Sequence, residues 1–157
     1  MDSNVAFLRH ALATLAYRGG KALRGAPADF CDFRAAAGTR TPGEILAHLL
    51  DLLDWSLGLC DGRHVWRNSA VLPWDQAVAR FHAGLEALDY RLATGNPVTN
   101  PEGLFQGPIA DAFTHVGQIS MLRRIAGGPV KGENYYKAEI VTARLGAAQA
   151  APAVEFD

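Results

Sequence analysis

Three side chains on two segments have the types and spacing of a metal-ligand set. In Thr41-Pro42-Gly43-Glu44-Ile45-Leu46-Ala47-His48-Leu49-Leu50, His48 shares helical steps with Ile45, Leu52, Trp55 and Leu59, an apolar face. In Asp111-Ala112-Phe113-Thr114-His115-Val116-Gly117-Gln118, the series Asp111, His115, Gln118, Leu122 and Ile125 follows steps of four, three, four and three. That series reads as one inward face, polar at its start and apolar at its end. Polar groups on a buried face cost about 1–3 kcal/mol each if unpaired, and charges more. A divalent cation held by His48, Asp111 and His115 removes that cost. A 2-His-1-carboxylate set leaves positions open for water or substrate, and zinc, nickel, iron and manganese all accept it. The competing reading is a hydrogen-bonded Asp111–His115 pair with His48 a satisfied core histidine. Asp-x-x-x-His is a less specific pattern than the His-Glu-x-x-His of metalloproteases.

The other chemistry-bearing residues read as structural. His82 flanks the apolar stripe of its helix, His64 lies in a loop, and His10 shares a face with Tyr17 and reads as solvated. Gln118 and Tyr17 are the candidates to orient a substrate. Asp51 is either a partner of His48 or a solvated carboxylate, and Trp55 reads as core. Arg123 and Arg124 suit the negative end of a helix dipole. Neither a phosphate-cradling glycine loop nor a serine-nucleophile motif is present.

Four amphipathic helices must position these groups. The first is expected from about Asn4 to Leu23, with Val5, Leu8, Leu12 and Leu15 on one face and Gly19-Gly20 weakening its last turns. The stretch from Pro27 to Arg40 connects it to the second, with Phe30 and Phe33 as anchors. The second helix has the clearest start: Thr41 as N-cap, Pro42 at the first helical position and Glu44 completing a capping box, with its end near Cys60. The third begins near Pro73, carries Trp74, Val78, Phe81, Leu85, Leu88 and Leu92 as a stripe, and closes at Gly95-Asn96-Pro97. The fourth runs from Leu104 or Pro108 to Ala126, stopped by Gly127-Gly128-Pro129. Tyr135, Tyr136 and Ile140 are expected to pack back on the bundle. The Ala-rich segment from Gly146 to Asp157 is expected to fray. No strand-type alternation or internal repeat is visible. The connections are long enough for a simple antiparallel path or an up-down-down-up path.

The bulk composition agrees with one such unit. The chain has 157 residues, 49% of them hydrophobic and 20% charged, which suits a packed core rather than a disordered chain. With 15 basic and 16 acidic residues and no basic stripe, nucleic acid is not an expected partner. No run approaches the ~20 apolar residues of a membrane span. Met1-Asp2-Ser3-Asn4 does not read as the start of a signal peptide. Cys31 and Cys60 belong to no Cys-x-x-Cys pair and read as free thiols, which points to the cytoplasm.

Three stretches carry a family likeness. They are Thr41-Pro42-Gly43-Glu44-Ile45-Leu46-Ala47-His48, His115-Val116-Gly117-Gln118-Ile119-Ser120-Met121-Leu122-Arg123-Arg124 and Val130-Lys131-Gly132-Glu133-Asn134-Tyr135-Tyr136. On these the chain resembles the DinB-like family of DNA-damage-inducible bundle proteins, which includes thiol S-transferases and a maleylpyruvate isomerase. The likeness extends from residue 5 to about 145. It implies an all-α fold, a DinB-like four-helix bundle with an up-down-down-up path, in a single domain over 1–145 followed by a tail over 146–157. It also implies a divalent metal held by a histidine on the second helix and an HxxxH pair on the last. His48 matches the first histidine and His115 the second of the pair, while Asp111 stands where the pair's first histidine falls. The metal set implied is therefore His48, Asp111 and His115. The function implied is a metal-dependent transferase or hydrolase acting on a small molecule, with a low-molecular-weight thiol as a second cofactor; a homodimer is expected because bundles of this size often pair through their helices. The alternatives are a non-catalytic metal-binding or stress-associated module, and a plain helical interaction domain without an ion.

Overall fold

The computed structural model describes residues 2–156. Its helices are α1 (Ser3–Leu23), α2 (Pro42–Leu59), α3 (Trp74–Ala93), a short α4 (Pro101–Leu104) and α5 (Ala110–Ile125). A π-helical turn, Phe105–Ile109, joins α4 to α5 without a break, so the last long helix starts earlier than the sequence suggests. Pro108 lies inside that turn. Proline cannot donate to an i−4 carbonyl, and the wider turn accommodates the missing bond.

The capping box of α2 forms as expected. Thr41 Oγ1 accepts from the Glu44 backbone N–H, and the Glu44 carboxylate accepts from the Thr41 N–H at 2.7 Å. α1 continues through Gly19 and Gly20, both buried within it. A Cβ at Gly19 would lie 2.6 Å from Phe81 Cζ, so the glycine lets α3 approach closely. Close packing explains Gly19; a Cβ at Gly20 would meet only ordinary contacts, 3.5 Å from His82 and Arg24.

Pairs across the bundle fix its path. At one end Asn4 donates to Glu102, and at the other the Arg123 guanidinium donates to the carbonyls of Ala22, Arg24 and Gly25, so α1 and α5 run the same way. Arg9 pairs with Asp89 and Gly20 lies beside His82, so α1 and α3 run oppositely. Arg80 pairs with Asp54 and Arg91 with Asp61, so α2 and α3 run in parallel. The result is an all-α four-helix bundle with an up-down-down-up path. Each of α1 and α2 packs against both α3 and α5. Leu12, Leu15, Leu46, Leu49, Phe81, Leu85, Leu88 and Ile119 are sealed in the centre. Burial of such side chains stabilises by about 1.5–3 kcal/mol each.

Parallel neighbours cannot be joined by a tight turn. The chain after α2 must travel back along that helix before α3 begins. Ser69 in this crossover donates its N–H and O–H to Asp51, at 2.9 and 2.6 Å, and Val71 reaches Gly43 at the start of α2. Asp51 is thus a buried anchor for the crossover.

The tail does not fray. Gly132–Glu133 (β1) pairs antiparallel with Glu155–Phe156 (β2), and Leu145 is buried. Glu133, fully buried at its side chain, accepts from Tyr17 at 2.6 Å and from Lys21 at 2.7 Å; Lys21 also reaches Glu155 at 2.8 Å. His82 is buried rather than a boundary residue, its Nδ1 lying 2.7 Å from the Leu145 carbonyl. These polar contacts hold a segment whose alanine-rich sequence has few apolar anchors of its own. Cys31 and Cys60 are free thiols. Among the described residues, no helix is long and apolar enough to cross a membrane.

Candidate metal centre

The bundle brings His48, Asp111 and His115 to one place. One donor atom from each lies within 4.8 Å of the others. His48 comes from the second turn of α2, whose start is fixed by the Thr41 cap. Asp111 and His115 come from the first turns of α5, one helical turn apart. His48 Nε2 is 3.4 Å from Asp111 Oδ2, and the two imidazoles stand 4.6 Å apart, tilted by 37°.

The buried stripe of α5 differs by one residue from the sequence reading. Ala112, Val116, Ile119 and Arg123 are buried along its centre, with His115 and Leu122 beside them. Asp111, Gln118 and Ile125 are seven residues apart in turn and lie on a flank. Gln118 is exposed and Ile125 is 56% exposed. The flank position leaves the Asp111 side chain 43% exposed while His115 keeps 10% and His48 23%. The site therefore sits at the bundle surface with its histidines turned inward.

His115 Nδ1 is 2.9 Å from the Asp111 backbone carbonyl, an acceptor only, so in the neutral ring the proton sits on Nδ1 and Nε2 carries the lone pair. Thr114 Oγ1 donates to the same carbonyl at 2.7 Å. Among the described residues, His115 Nε2 has no hydrogen-bond partner, and no buried side-chain nitrogen or oxygen is orphaned. That nitrogen must then touch solvent. The polar groups of α5 are thus satisfied without an ion, and a lone pair is left facing the open side.

The donor set fits a divalent ion. Ligands about 2.1 Å from a metal stand roughly 3.0–3.4 Å from one another at tetrahedral or octahedral angles. The His48–Asp111 distance of 3.4 Å meets that value already. The widest separation, up to 4.8 Å, exceeds that value by roughly an ångström or more, a gap that side-chain rotation would have to close around an ion. The group could hold a metal ion.

The crossover loop forms one side of the site. The Trp66 ring packs 5.4 Å from His48, on an imidazole that also faces His115. Trp66 meets Trp55 edge-on at 5.7 Å and donates its N–H to Asn68. Trp55 is half-buried beside the site, not in the core centre, and His64 stacks at its edge. A second residue, Arg40, lines a cleft that also borders His48. Sequence periodicity could find neither Trp66 nor Arg40, because both lie in loops with no helical register to His48. Tyr17 is not at this site; its hydroxyl is bonded to Glu133. His10 is exposed, and no partner brings it to the three ligand candidates.

Comparison with protein-family models, with curated proteins and with solved structures finds no match for this chain.

Proposed function

We propose that this protein is a DinB-like bundle that binds one divalent metal and acts on a small molecule, either as a transferase with a low-molecular-weight thiol as co-substrate or as a hydrolase that uses water. The observation that carries this reading is the convergence of His48, Asp111 and His115 within 4.8 Å at a surface opening. When bound, the ion supplies Lewis acidity, which polarises a carbonyl or acidifies a water or thiol that reaches it. The chain does the rest. The Asp111 carbonyl holds the proton of His115 on Nδ1 and so presents Nε2. Asp111 supplies a carboxylate that offsets part of the positive charge. Trp66 packs against one side of His48 and limits the positions its ring can take.

Elemental analysis of protein purified without a metal-affinity tag tests the metal. One equivalent of a divalent ion, absent from the His115→Ala variant, is the expected outcome. Substoichiometric metal that is unchanged in the variant would leave a hydrogen-bonded helical domain instead. Thermal shift with glutathione-, mycothiol- and bacillithiol-type thiols then tests the transferase reading. Metal without response to any thiol or electrophile would leave a non-catalytic metal-binding module.

A further inference from the structure

The cleft beside the metal centre has its own chemistry. It encloses about 390 Å³, within the usual size of a small-molecule site, and lies between the loop before α2 and the crossover loop after it. His48 forms part of one wall. Four charged residues also line it: Arg34, Arg40, Glu44 and Asp51. Three of them are engaged. Arg34 stands 3.6 Å from Glu44 and donates to the Thr39 carbonyl, while Glu44 also caps α2. Asp51 is buried and accepts both hydrogen bonds from Ser69. Arg40 alone has no hydrogen-bond or ion-pair partner among the described residues.

A guanidinium offers a fork of N–H donors that matches a carboxylate or phosphate in two parallel bonds. Here that fork is uncommitted and shares a cleft with His48. We infer that the small molecule acted on at this site carries a carboxylate or phosphate, bound by Arg40 while its reactive end lies against His48. This inference rests on the proposed function for the role of His48. The anion subsite itself does not require the ion.

Isothermal titration with malonate, with inorganic phosphate and with neutral malonamide tests it, on tag-free protein with and without zinc. Malonate or phosphate should bind, and malonamide should not. Arg40→Gln should weaken anion binding roughly ten- to a hundredfold, the loss of a charge-assisted hydrogen bond. Arg40→Lys should recover part of it, since the charge remains and the fork is lost. Metal content and thermal midpoint should be the same in both variants as in the native chain. Equal anion affinity in Arg40→Gln, equal binding of malonamide, or no binding of either anion to the native chain overturns the inference. The metal-free protein and His115→Ala separate it from the metal reading. Arg40-dependent binding that persists there supports the subsite, even if no ion is found in the native chain. Binding that vanishes with zinc removal assigns the anion to the ion and overturns the role of Arg40.

Discussion

Replacing Asp111 by asparagine separates folding from metal binding. The side chain keeps its shape, and the contacts of His115 and Thr114 to residue 111 run chiefly to the backbone carbonyl, which the substitution retains. The lost pairing with His48 is long, at 3.4 Å, and its carboxylate is 43% exposed. An exposed pair of this kind is worth about 0–1 kcal/mol, so the metal-free midpoint should fall by no more than roughly 4 °C. The zinc response should change far more. At zinc near 100 times its dissociation constant, binding stabilises the native chain by about 2.7 kcal/mol and raises the midpoint by roughly 5–11 °C. Loss of a direct ligand should cost ~100-fold or more, the top of the range for outer-shell partners. At the same zinc concentration the stabilisation then drops to about 0.4 kcal/mol, a shift of roughly 1–2 °C. Differential scanning calorimetry with and without zinc reads both numbers. A zinc shift equal in native, Asp111→Asn and His115→Ala proteins would place the ion elsewhere and refute the reasoning.

The tail anchor gives two further expectations. Lys21→Met leaves the Glu133 carboxylate fully buried with Tyr17 as its remaining partner, which should cost about 3–5 kcal/mol in urea unfolding; adding Glu133→Gln should restore most of it, and no restoration would show that buried charge is not the cause. Burial and the bond to Glu133 both raise the Tyr17 pKa, while for Lys21 the bonds to Glu133 and Glu155 outweigh the opposing effect of burial. Both groups therefore hold their protons more tightly when folded. The stability they confer is complete below about pH 10 and is lost as pH rises through their folded pKa values. Unfolding free energy measured against pH should decline in that alkaline range, less steeply in Tyr17→Phe, and an identical slope in the two proteins would contradict the account.

Local chemistry in the sequence determines much of this protein. Thr41, Pro42 and Glu44 specify the start of α2 through bonds made within one turn, so the position of His48 on that helix follows from neighbours alone. The spacing of Asp111 and His115 places them one turn apart on any helix, whatever surrounds it. The apolar stripes announce a four-helix bundle for the same reason. Such periodicity is coarser for orientation, because one residue of error rotates a face by 100°. Hence Gln118 and Ile125 read as inward and are exposed. Gly19 reads only as a weak point of its helix because a sequence does not show the Phe81 ring that packs against it.

Only the tertiary structure decides what stands beside His48. Parallel packing of α2 and α3 forces the crossover back along α2, and the Asp51–Ser69 bonds pin it there, with Trp66 on the imidazole. Arg40 meets the same cleft from the other side through the loop before α2. These contacts depend on chain direction and loop course, which carry no periodic signal. The residues that could hold an ion are written locally; the walls around them are set by how the helices are connected.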